Sequence, residues 1–380
     1  MRKKNQKQRI VFCTFSDFIA GNQGDSVNDR KLFEAIPLKY EKLPIFPKYK
    51  DVNKIEIKSI FKYTIKFLKE ITSSKRIFIT RAPKLAILPI VFNKIFDNRV
   101  IIRMGCTPAV FIERKSFFRN LNFKPKTNIL KKIFYFLEPH LELYAIRHAD
   151  GYIIENERAK KIAIFYGAIP NKIKIVPYYV QDYFLEGNNP NFNINEDFFK
   201  IGYTGRFSLY DLITPVIDSI SILKDSGYNI KLFLIGDGIN RKKMENYVKY
   251  IGLTENVIFL GSKPHHEVSN LINEFHCLVL PMLNNICPST IAIKILEGVM
   301  KGKIIITTYS GNNASLFLQY KELIIDKISV DEIVEKIKLV INNYNIYKEK
   351  AEELSIFHSS LRSKEIYEEK LAELLNDIIY

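Results

Sequence analysis

The sequence predicts an α/β protein with two parallel sheets, each covered by helices, in two domains of ordinary size. Three observations predict it. Apolar runs of strand length alternate with helical patterns along both halves of the 380 residues. A stretch rich in Asn, Pro and Gly, from Asp182 to Phe199, separates the halves. In the second half glycine turns follow the strands, at Gly205, Gly236, Gly238 and Gly261. Ligands of such sheets bind beyond the carboxyl ends of the strands, which is where those turns lie.

In the first half, Arg9 to Phe15 reads as a strand, Gly21 to Gly24 as a loop and Asp29 to Ile36 as a helix. Ile55 to Ile71 has helical spacing with lysines on its polar side. Ile77 to Thr80 is a strand, Pro83 to Phe96 a helix, and Val100 to Arg103 a strand that ends at Met104-Gly105-Cys106-Thr107. Asn128 to His148 is a long helical pattern. Gly151 to Ile154, Glu157 to Tyr166 and Ile173 to Val176 complete the half as strand, helix and strand.

In the second half, Phe199 to Tyr203 is a strand that turns at Gly205-Arg206-Phe207-Ser208. Thr214 to Asp225 is a helix, and Asn229 to Ile235 a strand that ends at Gly236-Asp237-Gly238. Arg241 to Gly252 is a helix, Val257 to Leu260 a strand, and His266 to Glu274 a helix. Cys277 to Leu280 is a strand that leads into PMLNNICPSTIAIKILEGVMKGKIIITT. That stretch reads as loop, helix and strand, with Ser289 as N-cap and Gly302 past the helix end. Leu323 to Ile325 and Val330 to Asn343 follow as strand and helix. The expected domains are 1–185 and 199–345, with helices in 346–380 packing back on the first domain.

At 47% hydrophobic and 26% charged residues the chain is globular. The four cysteines are scattered, with no CxxC pair and no His/Cys cluster at metal spacing, so a reducing compartment is expected and zinc is not. The basic start MRKKNQKQR and the run IVFCTF are too short for a secretory leader, and no run reaches membrane-spanning length. A net charge of +16 points to an anionic partner: nucleic acid, an anionic membrane or phosphorylated substrates. Glu113 to Phe136 mixes lysines and arginines with aromatics, which suits an anionic membrane surface or a single-stranded nucleic acid. No RNA-binding signature accompanies it, so nucleic acid is not the expected partner. The sequence carries no GxSxG elbow, no Walker A motif and no full dinucleotide fingerprint.

The chemistry gathers in the late helix. Lys294 and Glu297 lie one turn apart on one face, with Thr290 near the same face at the helix start. A helix start is an anion site, and Lys294 adds a full charge to it. Glu297 offers two acceptor oxygens, suited to vicinal hydroxyls. Anion first and diol second fits the phosphate and ribose of a nucleotide. A solvent-facing Lys–Glu pair has the same spacing. Gly205 lets backbone approach a ligand, and Arg206 beside it can fork onto a pyrophosphate. Gly236-Asp237-Gly238 offers a second close approach. His265-His266 starts a helix and has no further metal ligands at suitable spacing.

Several stretches together resemble the glycosyltransferases of family 4. RHADGYIIENERAKKIAIFYGAIPNKIKIVPYYVQDYF resembles the end of that family's first domain, and IGYTGRF the turn that opens its second. LFLIGDG, VIFLGSKP and PSTIAIKILEGVMKGKIIITT follow in the family's order. The match covers roughly Ala145 to Asn343; the first half is similar only in its alternation. The resemblance implies a GT-B fold, two Rossmann-like domains whose parallel sheets face each other across a cleft. It implies transfer from a nucleotide-sugar donor to a glycan or lipid-linked acceptor, with retention at the anomeric carbon and no metal or cofactor. By position, Glu297 matches the glutamate on the donor ribose and Arg206 the arginine on the diphosphate. Two positions depart from the pattern: Asp211 stands where many members have lysine, and Ser289 where many have glutamate. Lys294 then supplies the missing charge, which makes Arg206 and Lys294 the expected catalytic pair. Gly205, Gly236, Ser289, Thr290 and Glu297 are the expected donor contacts; Gly21, Gly24 and Arg103 are expected on the acceptor side. An inactive nucleotide-binding relative and a basic nucleic-acid-binding protein are the alternatives.

Overall fold

The apolar runs of the first half form a six-stranded, wholly parallel sheet. The structure, a computed structural model, describes residues 8–14, 24–46, 49–51, 54–55, 57–81, 83–104, 129–185, 198–207, 212–283, 291–309, 316–317 and 321–379. In chain order the strands are β1 (Arg9–Cys13), β2 (Glu41–Ile45), a short antiparallel pair β3 (Tyr49–Asp51) and β4 (Lys54–Ile55), then β5 (Ile77–Thr80), β6 (Arg99–Met104), β7 (Gly151–Ile154) and β8 (Ile173–Ile175). The sheet order is β2-β1-β5-β6-β7-β8.

Parallel strands need crossovers, and the crossover helices cover both faces. Side chains alternate between the two. Val11, Phe78, Val100 and Ile102 point to one core, with α2 (Ile57–Ile71), α3 (Pro83–Phe96), α4 (Ile129–His148) and α5 (Glu157–Phe165). Ile10, Phe12, Ile77, Ile79 and Ile101 point to the other, with α1 (Gly24–Ala35) and the final helix. Gly151 lets the final helix pack close there: a Cβ would lie 2.3 Å from Ile378 Cδ1.

The second series forms another wholly parallel sheet: β9 (Phe199–Thr204), β10 (Ile230–Ile235), β11 (Val257–Gly261), β12 (Cys277–Leu280), β13 (Ile304–Thr308) and β14 (Ile324–Ile325). Its order is β11-β10-β9-β12-β13-β14. The helices are α6 (Ile213–Asp225), α7 (Arg241–Tyr250), α8 (His265–Asn273), α9 (Ile293–Met300), α10 (Val330–Asn342) and α11 (Tyr344–Leu361). Gly298 lets α9 sit close on the sheet, since a Cβ there would reach Leu278 and Ile305 at 2.7 and 2.9 Å.

Three expectations are corrected. The helix read from Asp29 begins at Gly24, so Gly24 is its first residue and not part of a loop; glycine is tolerated at a helix start. The late helix begins at Ile293, after Ala292, which makes no side-chain cap bond; Ser289 and Thr290 lie outside the described residues. The tail divides. The chain splits into Met1–Tyr179 with Lys364–Tyr380, and Val180–Ser363. Only α12 (Lys364–Ile379) covers the first sheet, through Tyr367, Leu371, Leu374 and Leu375. The α11 helix stays with the second unit, where it packs on α9 and Ser355 Oγ donates to the Met300 carbonyl at 2.8 Å.

Candidate nucleotide-sugar site

In the second unit the strand order reverses between β9 and β12. Such a reversal opens a crevice at the carboxyl ends of the strands. The turn after β9 is Gly205-Arg206-Phe207, and α9 follows β12 through a connection whose residues 284–290 lie outside the described residues. The sheet order therefore brings Gly205, Arg206, Lys294 and Glu297 to one edge.

The close packing of that edge explains its glycines. Gly205 has φ 141°, and a Cβ there would meet Lys294 Cδ and Nζ at 3.2 Å. Gly236 has φ 139°, and its Cβ would stand 1.8 Å from the Gly205 carbonyl oxygen. The Gly205 amide donates to the Ile235 carbonyl at 3.0 Å, and the Phe207 amide to the Asp237 carbonyl at 2.9 Å. The two glycine turns thus support each other. Asp237 also takes Arg241 at 3.2 Å, which pins the turn to the start of α7.

Lys294 is the second residue of α9, at the positive end of the helix. Its Nζ donates to the Tyr203 hydroxyl at 3.2 Å and lies 4.8 Å from the centre of that ring. The same hydroxyl donates to the Arg206 carbonyl at 3.4 Å. Tyr203 therefore joins the two expected cationic residues. The Arg206 side chain is exposed.

Glu297 is buried, only 5% exposed. Its Oε1 lies 2.7 Å from His265 Nε2, at the start of α8. His265 Nδ1 in turn lies 2.6 Å from the Tyr183 hydroxyl. Sequence reasoning missed His265, Tyr183 and Tyr203, because their partners stand 32, 82 and 91 residues away in the chain. No local pattern signals pairs that only the sheet order assembles.

The acceptor-side residues divide. Gly21 lies outside the described residues, and Gly24 opens α1. Arg103 is 4% exposed and donates to Asp29 at 2.8 Å. Asp29 also takes the Thr14 hydroxyl at 2.6 Å and Arg81 at 3.4 Å. Thr14 follows β1 and Arg81 follows β5, the pair between which the first sheet's order reverses. A cavity of about 510 Å³, lined by Arg99, Asp150, Lys172 and Asp377, opens instead at the amino ends of β6, β7 and β8.

Among the described residues no three His, Cys, Asp or Glu side chains are grouped to hold a metal. Two strand-adjacent groups of the second unit belong to the core. Burial pushes the Cys277 thiol up to about 12 and the Lys303 amine down to about 8, and Lys303 spends its protons on the Asn273 and Phe275 carbonyls.

Residues 186–355 match the family model described as Glycosyl transferases group 1. A 2-deoxystreptamine glucosyltransferase of Streptomyces kanamyceticus is 26% identical over 153 residues, which cover 38% of this chain and 40% of that protein. The chain therefore matches about two fifths of the length of this curated relative. Among solved structures, Anabaena Alr3699/HepE in complex with UDP has a TM-score of 0.69 at 12% identity, covering 97% of this chain and 100% of that one. Sucrose-phosphate synthase of Thermosynechococcus elongatus has a TM-score of 0.76 at 12% identity, covering 98% and 99%. WaaG, a glycosyltransferase involved in lipopolysaccharide biosynthesis, has a TM-score of 0.66 at 14% identity, covering 97% and 99%. These likenesses are likenesses of fold: the chain has the α/β GT-B fold.

Proposed function

We propose that this protein is a glycosyltransferase that moves a sugar from a nucleoside-diphosphate sugar to a glycan or lipid-linked acceptor in cell-surface polysaccharide synthesis. The observation that carries the reading is the assembly of Gly205, Arg206, Lys294 and Glu297 at the carboxyl ends of β9 and β12, where the strand order reverses. The group 1 family match over residues 186–355 supports it, and so does the fold shared with HepE, a protein captured with UDP and with UDP-glucose.

In this reading Glu297 accepts the ribose hydroxyls, and the backbone at Gly205 and Gly236 allows close approach. Ser289 and Thr290 complete the donor site. The pyrophosphate meets Arg206, Lys294 and the positive end of α9. These cations stabilise the charge that grows on the leaving nucleoside diphosphate, so transfer needs no bound metal or other cofactor. The bond from the anomeric carbon to the diphosphate breaks, and a bond to the acceptor hydroxyl forms. The hydroxyl proton passes to the departing diphosphate oxygen. Attack from the leaving-group face gives retention, in keeping with the resemblance to family 4. The first unit serves the acceptor, for which Gly21, Gly24 and Arg103 are the proposed residues.

No helix among the described residues is long and apolar enough to cross a membrane. The reading takes the protein to the cytoplasm, in peripheral contact with the inner membrane face. Support comes from α2, which exposes Ile65 and Leu68 together with Lys62, Lys66 and Lys69. The scattered cysteines suit a reducing compartment. The basic aromatic stretch Glu113 to Phe136 lies outside the residues whose side chains are described.

Donor turnover tests the reading. The purified chain is incubated with UDP-, GDP-, ADP- and dTDP-linked sugars, and release of nucleoside diphosphate is followed. Slow hydrolysis of at least one donor, abolished in Lys294→Ala, is the expected result. Binding without any turnover points to an inactive relative, and binding of none overturns the reading. The anomeric signal of the first product, by NMR, decides retention.

A further inference from the structure

We propose that His265 is a positioning residue for ribose recognition: it holds the Glu297 carboxylate in a fixed orientation, and Tyr183 in turn holds His265. The inference rests on the reading of Glu297 as the ribose ligand.

A carboxylate buried as deeply as Glu297 requires polar partners. Its Oε1 lies 2.7 Å from His265 Nε2, a charge-assisted contact. The imidazole is itself held from several sides. Its Nδ1 meets the Tyr183 hydroxyl at 2.6 Å. The Tyr183 ring stands edge-on at 5.7 Å between centroids, and the Phe184 ring lies at 5.1 Å. Ser269 Oγ donates to the Tyr183 carbonyl at 2.6 Å, which ties the Tyr183 segment to the same helix that carries His265. Ring, helix and segment form one unit.

Both contacts are satisfied when Tyr183 O–H donates to Nδ1 and Nε2–H donates to Oε1. Oε2 and the second lone pair of Oε1 remain acceptors, and a ribose diol presents two donors. Glu297 is then ordered before the nucleotide arrives, and the cost of immobilising a flexible side chain is not charged to binding. Resemblance at the level of the Glu297 motif reveals none of this, because Tyr183 and His265 lie in other segments of the chain.

The test measures affinity by calorimetry, first for UDP, GDP, ADP and dTDP. The tightest-binding ribonucleotide is then compared with its 2′,3′-dideoxy counterpart. The proposal expects wild type to prefer the ribonucleotide and Glu297→Ala to lose that preference. His265→Phe should weaken the ribonucleotide about tenfold and leave the dideoxynucleotide unchanged. His265→Gln, whose amide donates from nearly the same place, should restore most of the preference, and Tyr183→Phe should fall between. General damage to the fold weakens both nucleotides alike and would not give this pattern. If Glu297→Ala loses the preference while His265→Phe, His265→Gln and Tyr183→Phe all keep it in full, the proposal is overturned and the ribose reading stands. If wild type shows no ribose preference, or binds none of the panel, both fall. Should His265→Phe fail to fold, the Gln and Tyr183→Phe variants decide.

Discussion

The Lys294 ammonium lies 3.2 Å from the Tyr203 hydroxyl and 4.8 Å from its ring centre, and that hydroxyl reaches on to the Arg206 carbonyl. The contact fixes a cation at the start of α9 beside the turn after β9. Removing one preorganised group that stabilises a developing anion costs on the order of 10²–10³ in kcat. Lys294→Ala should lower donor turnover by about that factor. Lys294→Arg should recover part of the rate, and Tyr203→Phe should lose much less. Steady-state rates of nucleoside diphosphate release check the series. Equal rates in wild type and Lys294→Ala would remove Lys294 from the site.

Much of the fold was legible because strands buried on both faces are continuous apolar runs, such as IVFC in β1 and CLVL in β12. The edge strand β2 was not legible. Its sequence EKLPI carries charges and a proline, which suit an edge position, and among the described residues it pairs only with β1. That Lys294 and Glu297 share one helix was readable from the sequence pattern. The residues that hold them, Tyr203 and His265, were not, since the order β11-β10-β9-β12 decides those meetings. The start of α9 was misread at Ser289 because cap preference is a local statistic, and Ala292 takes the position without a side-chain bond.

Gly236 and Gly252 both have positive φ, 139° and 70°, but differ in surroundings. A Cβ on Gly236 would stand 1.8 Å from the Gly205 carbonyl oxygen, whereas one on Gly252 meets nothing within 4 Å. Gly252→Ala should therefore cost only left-handed strain, about 1–2 kcal/mol. Gly236→Ala must also displace the Gly205-Arg206 turn. It should lower the melting temperature further and weaken nucleoside diphosphate binding, which Gly252→Ala should leave alone. Thermal melts and calorimetry on the two variants make the comparison, and equal behaviour would contradict the close packing of the two turns.

In the first unit, Asp29 is wholly buried and gathers Thr14, Arg81 and Arg103. Removing one partner of a buried ion pair costs about 3–5 kcal/mol, because the remaining charge loses its compensation. Asp29→Ala should destabilise by about that much through Arg103. Arg81 is more exposed, at 27% of its side chain, and Arg81→Ala should cost under about 1 kcal/mol. Urea denaturation followed by circular dichroism distinguishes the two. Similar midpoints for Asp29→Ala and wild type would show that the cluster carries little stability.

His358 in α11 gives the second unit an acid-sensitive point. Burial, with Arg362 nearby, pushes its imidazole down to about 4 from the ordinary 6.5, against a small opposing contact from the Leu316 carbonyl. The sign follows from which state holds the proton. Above pH 6.5 both folded and unfolded chains carry a neutral ring, and the stability is fully present. Between pH 6.5 and 4 the unfolded chain binds a proton that the folded chain refuses, so stability falls as pH falls. Below about pH 4 both states are protonated and the loss levels off. The span of the shift corresponds to about 3 kcal/mol at most. Urea midpoints for wild type should therefore drop between pH 6.5 and 4, and the drop should shrink in His358→Leu, which has no ring to protonate. The two proteins should then show their largest difference in slope within that window and parallel behaviour between pH 7 and 8. Parallel slopes through the acid window as well would mean that the ring titrates normally and is open to water.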